Sequence, residues 1–177
     1  CLGGAGNQPP SETLVGALIG NGGRGGGAWG AMKLNNPKKL AVCDVDKKRI
    51  GGDPDNKTRF VDFRRVMDVK EIDFVCIATP PHWHALMCIA AAQAGKHIYC
   101  EKPISLTIRQ ARTMAETVRR HNSVFHTGPQ QRHFQDDLKS FEMVHAGRIG
   151  KVRLAYVSES GVSQYLNLPA EPLPKGL

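Results

Sequence analysis

Several features are scarce in this sequence, and each scarcity removes a class of protein. No apolar run approaches the roughly 18 to 20 residues that a helix needs to cross a bilayer, so no helical membrane span is read from it. No heptad, collagen or solenoid period recurs, which excludes fibrous and repeat architectures. Aromatic residues make up only 6% of the chain and are not interleaved with the basic ones. Lys and Arg number 24 against 16 Asp and Glu, a formal charge of +8, which permits an anionic ligand. The basic residues are scattered, as at Lys47 to Arg49 or Arg119 and Arg120, and read as solvated helix ends rather than a nucleic-acid stripe. The metal-binding spacings C-x-x-C and H-x-x-x-H are missing as well. His82, His84, Cys88 and Cys100 therefore stand close in sequence without a zinc pattern, and no metal is assigned. Cys1, Cys43, Cys76, Cys88 and Cys100 show no tight pairing, and three of them sit in strand-like runs, so they are read as reduced core thiols.

What is present is enough for one domain of ordinary size and the start of another: 177 residues, 41% of them hydrophobic. Glycine is the loudest signal. There are 19, and Gly20, Gly22, Gly23, Gly25, Gly26, Gly27 and Gly30 crowd into one short stretch. Residues 1–12 form a leader or linker of Gly, Pro and small polar residues. The chain opens on Cys rather than Met, which fits either the edge of a fragment, with a cytoplasmic protein, or a removed export signal, with a periplasmic one.

Residues 13–131 alternate strands and helices. Thr13 to Ile19, Lys39 to Cys43, Phe74 to Ala78, His97 to Cys100 and Ser123 to His126 are short apolar runs bounded by turn residues, the pattern of buried parallel strands. Between them, helices are expected from Gly25 to about Leu34, at Phe63 to Val69, around Trp83 to Ala90 with a stop at Gly95, and from Ser105 or Thr107 to Arg120. The last has Ile108, Ala111, Ala115 and Val118 on its inner face. Asp46 to Arg59, holding Gly51, Gly52 and Pro54, is expected to be mostly loop. Short links between alternating elements imply an α/β fold, a doubly wound parallel sheet with right-handed crossovers. After Gly128 the pattern changes to a helix from Phe134 to His145 and a half-buried strand at Lys151 to Ser158. Residues 132–177 are read as the incomplete start of a second domain, because so short a segment ending in Pro-rich LNLPAEPLPKGL cannot build its own core.

Gly20-Asn21-Gly22-Gly23-Arg24-Gly25 follows a strand and precedes a helix. Glycine there permits positive φ at Gly20, a close approach of a pyrophosphate at Gly22 and tight helix packing at Gly25, with free helix-start amides to hold phosphate. Asp44 ends the second strand 24 residues after Gly20, close to the spacing of about 20 at which an acid accepts ribose hydroxyls. That acid favours NAD over NADP, although Lys47, Lys48 and Arg49 just beyond it are able to reverse the preference. Parallel sheets bind ligands at the carboxyl ends of their strands, so Thr79 with Pro80, Glu101 with Lys102, and Gln130 to Arg132 are expected to converge. Lys102 is placed to donate to a substrate oxygen, while Glu101 either faces the ligand or pairs with Lys102. His82 and His84, two apart, point to different sides of a helix; one faces the cofactor and the other packs with Trp83.

These residues resemble the Gfo/Idh/MocA family of nicotinamide-dependent oxidoreductases. The resemblance rests on VGALIGNGGRGG, AVCDVD and IDFVCIATPPHWHALMCIAAAQAGKHIYCEKPIS, and continues through TGPQQR to GRIGKV. It implies a Rossmann domain followed by an α+β substrate domain with an open sheet that often mediates homo-oligomers. It implies hydride exchange with a sugar or cyclitol hydroxyl or carbonyl. It puts Gly20, Gly22, Gly25 and Asp44 on the cofactor's pyrophosphate and ribose, with Asn21, Gly23 and Arg24 in the same turn. Thr79, Pro80, His84 and Glu101 fall along the nicotinamide half, Gln131 lies near it, and Lys102 is the active-site lysine of the E-K-P motif. The family's substrate-domain Asp and His are expected beyond Leu177, leaving the chain as it stands without turnover. A glycosidase using NAD in a transient oxidation, or a non-catalytic NAD sensor, remains open beside the dehydrogenase.

Overall fold

The apolar run that stops at Ile19 forms the central strand of a sheet in the computed structural model, which describes residues 13–32, 37–53, 58–128 and 134–156. Strand β1 (Val15–Ile19) is followed by helix α1 (Gly23–Ala31), β2 (Lys38–Cys43), α2 (Lys47–Ile50), β3 (Arg59–Phe60), α3 (Phe63–Met67) and β4 (Phe74–Ile77). Then come α4 (Pro81–Gln93), β5 (His97–Glu101), α5 (Ile108–Arg120), β6 (Phe125–Gly128) and α6 (Gln135–His145). Strand order is β3-β2-β1-β4-β5-β6 and each pairing is parallel. The chain therefore winds outward one way from β1, returns to β4, and winds outward the other way. The reversal between β1 and β4 opens a crevice at the carboxyl ends of the strands.

Burial follows from the apolar runs. Every residue of β4 is buried, as are Ala17, Leu18 and Ile19 of β1 and Ala41, Val42 and Cys43 of β2. Each large aliphatic side chain buried this way contributes roughly 1.5 to 3 kcal/mol. On one face α4 and α5 cover the sheet through Ala85, Cys88, Ala91 and Met114, while on the other α1 brings Ala28 against Leu18 and Cys76. Trp29 stacks on Phe74 with ring centroids 5.6 Å apart. Gly16 makes that stack possible, since a Cβ there would stand 2.4 Å from the Phe74 ring. Cys43, Cys76, Cys88 and Cys100 are buried and unpaired, and burial pushes the thiols of Cys43 and Cys76 up to about 12.

Several local expectations are corrected. Helix α1 begins at Gly23, two residues early, because its first turn is recruited into the glycine-rich bend. The stretch expected to be mostly loop contains α2 and β3. Asp46 starts α2 by accepting the Lys48 amide at 3.0 Å, and Gly51, at φ +66°, ends it. On α5 the inward stripe is Ala111, Met114 and Val118, with Ala115 exposed at the edge of the groove they line, while Ile108 is 77% exposed. The i, i+3, i+7 row meets the sheet; the first turn lies outside it. Residues 151–156 form no strand, and Val152, Leu154 and Tyr156 are exposed. Alternation makes a strand only where a neighbour supplies hydrogen bonds, and none does so among the described residues. Residues 13–128 belong to one compact unit and residues 134–156 to a second. No described helix is long and apolar enough to cross a membrane.

At the amino end of the sheet, Lys96 is 4% exposed and its ammonium donates to the Val69 carbonyl at 2.6 Å. Its stem packs while its tip ties the turn after α3 to the start of β5. Lys96→Met, which keeps the stem and removes the donor, is expected to lower unfolding free energy in urea by about 1 to 2 kcal/mol. An unchanged midpoint would show that the bond stabilises nothing.

Candidate functional site

The crevice at the β1–β4 reversal is a cleft of about 450 Å³ whose walls include Gly20, Gly22, Asp44, Arg49, Thr79 and Trp83. Its floor is made of strand ends. Gly20 adopts φ +89° and donates its amide to the Cys43 carbonyl at 2.8 Å, tying the end of β1 to β2. A side chain there would strike the Ala78 carbonyl at 2.8 Å, so the turn needs glycine for both conformation and space. Gly25 is more constrained still, because its Cβ would sit 1.9 Å from the Gly20 carbonyl oxygen. This contact lets α1 start directly over the end of β1.

Asp44 stands at the centre of the turn. Its Oδ2 accepts the Asn21 amide at 2.8 Å and its Oδ1 the Asp46 amide at 3.0 Å. The residue is only 9% exposed, yet each carboxylate oxygen retains acceptor capacity for a further donor. Asn21 adds a second tie by donating its side-chain amide to the Arg49 carbonyl at 2.5 Å. The amides of Gly22, Gly23, Arg24 and Gly25 have no partner among the described residues, Gly22 supplies no side-chain cap, and no acid lies in the first turn. Such an end carries partial positive charge and unfilled donors, the electrostatics of an anion site.

The second group of expected residues lies across the sheet. Glu101 ends β5, is 3% exposed, and is bridged by Arg24 Nε at 3.4 Å. The expected alternative of a Glu101–Lys102 ion pair is corrected: Lys102 reaches Glu101 through its backbone amide, at 3.3 Å, and its side chain is exposed. Arg24, in the first turn of α1, reaches the carboxylate at the end of β5, whereas the side chain of Lys102, one residue beyond Glu101, is exposed. Tyr99 donates its hydroxyl to Glu101 Oε1 at 3.4 Å. Thr79 and Pro80 lie on the cleft wall. His82 is exposed and His84 is 1% exposed, on opposite sides of α4 as the spacing requires. Both ring nitrogens of His84 face carbonyls, Nδ1 that of Pro103 at 2.8 Å and Nε2 that of Thr79 at 2.7 Å. Gln131, and all of Gln130 to Arg132, lie outside the described residues.

Sequence reasoning passed over the segment from Val61 to Arg64, which also lines the cleft. The signal was available, since RFVD repeats the pattern of AVCD, an apolar strand end followed by an acid. It also gave Trp83 a packing role at the start of α4; the ring is 40% exposed on the cleft wall. Two arginines border the cleft, and each carries a carboxylate: Arg49 Nε is 3.3 Å from Asp46 and Arg64 Nη1 is 2.8 Å from Asp62.

A parallel sheet of order 3-2-1-4-5-6, a glycine turn leading to an uncapped helix, and an acid closing the second strand define a dinucleotide-binding Rossmann domain. Residues 15–129 match the family described as "Oxidoreductase family, NAD-binding Rossmann fold", GFO_IDH_MocA. The chain belongs to this family, the Gfo/Idh/MocA oxidoreductases, and is an NAD(P)-binding member of it. It is 37% identical over 91 residues to levoglucosan dehydrogenase of Pseudarthrobacter phenanthrenivorans, covering 51% of this chain and 23% of that one. It is 26% identical over 171 residues to a glycosyl hydrolase family 109 protein of Shewanella pealeana, covering 85% of this chain and 37% of the relative. Among solved structures it is similar to scyllo-inositol dehydrogenase from Lactobacillus casei with bound NAD(H) and scyllo-inositol. The TM-score is 0.69 at 26% identity, covering 78% of this chain and 42% of that one. The chain thus spans between about a quarter and less than half of these relatives.

The close approach at Gly25 separates two kinds of glycine in α1. Gly25→Ala is expected to destabilise by about 1 to 3 kcal/mol through overpacking. Gly26→Ala, where a Cβ meets nothing within 4 Å, is expected to stabilise the helix by about 0.5 to 1 kcal/mol. Thermal unfolding of the two variants checks the contrast, and equal shifts would contradict it.

Proposed function

We propose that the cleft holds NAD and that the protein carries out hydride exchange between nicotinamide and a hydroxyl or carbonyl of a sugar or cyclitol. The observation that carries this reading is the run of free amides from Gly22 to Gly25 set beside Asp44. Uncapped donors, glycine at the points of closest approach, and a carboxylate with spare acceptor capacity fit a diphosphate and its adjoining ribose. Gly20, Asn21, Gly22, Gly23, Arg24 and Gly25 would cradle the pyrophosphate, and Asp44 would accept the adenosine ribose hydroxyls. Thr79, Pro80, Glu101 and Lys102 would line the nicotinamide half, with Gln131 nearby. The bound nicotinamide supplies the hydride chemistry.

The chain's own residues orient and hold charge. Arg24, at the head of α1, neutralises Glu101 so that the nearly buried carboxylate does not repel the diphosphate. Lys102, free of that pair and exposed, would donate to the reacting substrate oxygen, polarising a carbonyl or steadying an alkoxide. The acid and base that complete proton transfer are assigned to the second domain, which residues 132–177 are proposed to open. Asp44 next to the ribose also favours NAD, because a 2′-phosphate would meet a carboxylate while Arg49 and Arg64 are engaged by Asp46 and Asp62.

A second reading has its own support. The similarity to glycosyl hydrolase family 109 proteins covers 85% of this chain, so a glycosidase that regenerates NAD in each cycle uses the same cleft. Incubating the product of the full open reading frame with free sugars or cyclitols plus NAD, and separately with aryl glycosides, discriminates between them. Net NADH formation that is lost in Lys102→Ala supports the dehydrogenase; aglycone release without net NADH supports the glycosidase. Neither, with NAD bound, supports a sensor. In calorimetric titration NAD is expected to bind at least about tenfold tighter than NADP, a difference of about 1.4 kcal/mol. Equal or tighter NADP binding would overturn the role given to Asp44.

A further inference from the structure

The imidazole of His84 is 1% exposed, so it is placed to act on the site through what it holds rather than by touching a ligand. It stands between two backbone carbonyls, with Pro103 O 2.8 Å from Nδ1 and Thr79 O 2.7 Å from Nε2. Carbonyl oxygens only accept hydrogen bonds, and a neutral imidazole carries a single N–H. In either neutral tautomer one ring nitrogen would press its lone pair against a carbonyl lone pair at close range. Only the doubly protonated ring satisfies both contacts.

We propose that His84 is an imidazolium clamp, a positioning residue that fixes the Thr79 and Pro103 carbonyls and thereby sets the E-K-P loop against the end of β4. The proposal deepens the dinucleotide reading and rests on it where it concerns cofactor affinity. Thr79 leads out of β4 onto the cleft wall, and Pro103 directly follows Lys102. The two segments come from different crossovers, and the ring spans them. It therefore couples the position of the Lys102 backbone to the strand end on which the nicotinamide half is proposed to lie.

The surroundings favour the charged ring. Burial opposes it, but the neighbouring Cys100 thiol and the two carbonyls outweigh burial and raise the His84 pKa. The titratable and charged groups near it are Cys88 on its own helix and Cys100 of β5, with Glu101 beside Cys100. Beyond Glu101 lies Arg24 of α1. Cys100 is drawn down to about 6, first by a hydrogen bond with Cys88 and then by His84, against the opposing effect of burial. Because the folded-state pKa is raised, the clamp is complete below the ordinary histidine value of about 6.5 and is lost as pH rises through the folded value.

Two measurements test this. Long-range ¹H–¹⁵N spectra of the wild-type chain, without cofactor, are expected to show both His84 nitrogens protonated at about pH 6, below the ordinary histidine value. A neutral tautomer there overturns the clamp and leaves the dinucleotide reading untouched. Calorimetry with His84→Gln, whose single amide nitrogen cannot span both carbonyls, is expected to show NAD weakened by about fivefold or more. AMP, which occupies only the adenosine half, should change by less than about twofold. Equal losses for both ligands, or no loss for either, overturn the positioning role. Failure of the wild type to bind NAD overturns the dinucleotide reading and the affinity claim with it, while the spectra still decide the clamp.

Discussion

The hydrogen bond from the Asn21 amide to the Asp44 carboxylate, 2.8 Å long, is the contact on which the rest of the cleft depends. A single side chain ties the end of β2 to the glycine-rich turn, and through the Asp46 amide it also starts the path into α2. A buried carboxylate satisfied by two backbone donors is rigid, and rigidity here has a direction. It aims the first turn of α1, with its unfilled amides, across the mouth of the crevice between β1 and β4. The site is thus assembled from backbone groups whose positions follow from the sheet.

The distribution of charge around this point has a consistent logic. Arginines at the cleft edge are paired with acids from neighbouring turns, Arg49 with Asp46 and Arg64 with Asp62. Arg24 is held by Glu101 across the sheet. At the glycine turn the positive potential left without a counter-charge among the described residues is that of the helix end, which is short-ranged and geometrically fixed. A long flexible cation would attract many anions; backbone amides select one whose oxygens match their spacing.

Much of this was legible in the sequence because it depends on local grammar. Short apolar runs gave β1, β2, β4 and β5, the glycine spacing gave the turn, and Asp44 declared itself by its distance from Gly20. What the sequence left obscure depends on contacts between remote segments. Nothing in E-K-P says that Glu101 pairs with Arg24, because that contact joins the head of α1 to the end of β5, two segments remote in sequence. His84 reads as a possible cofactor contact until its ring is seen filled on both sides by carbonyls. The α5 face was misjudged by including Ile108, since periodicity gives the angle of a stripe and not where the sheet ends. The alternation in KVRLAYVS is real, but residues 151–156 show that a pattern needs a neighbouring strand to become structure.

The central claim is that the amides from Gly22 to Gly25, with Asp44 beside them, form the seat of a dinucleotide. The most direct measurement is the change in backbone amide resonances of the ¹⁵N-labelled chain on adding NAD. The account predicts the largest shifts at Gly22, Gly23, Arg24 and Gly25, with a further change at Asp44. Shifts confined to other parts of the surface, or none at saturating NAD, would contradict it.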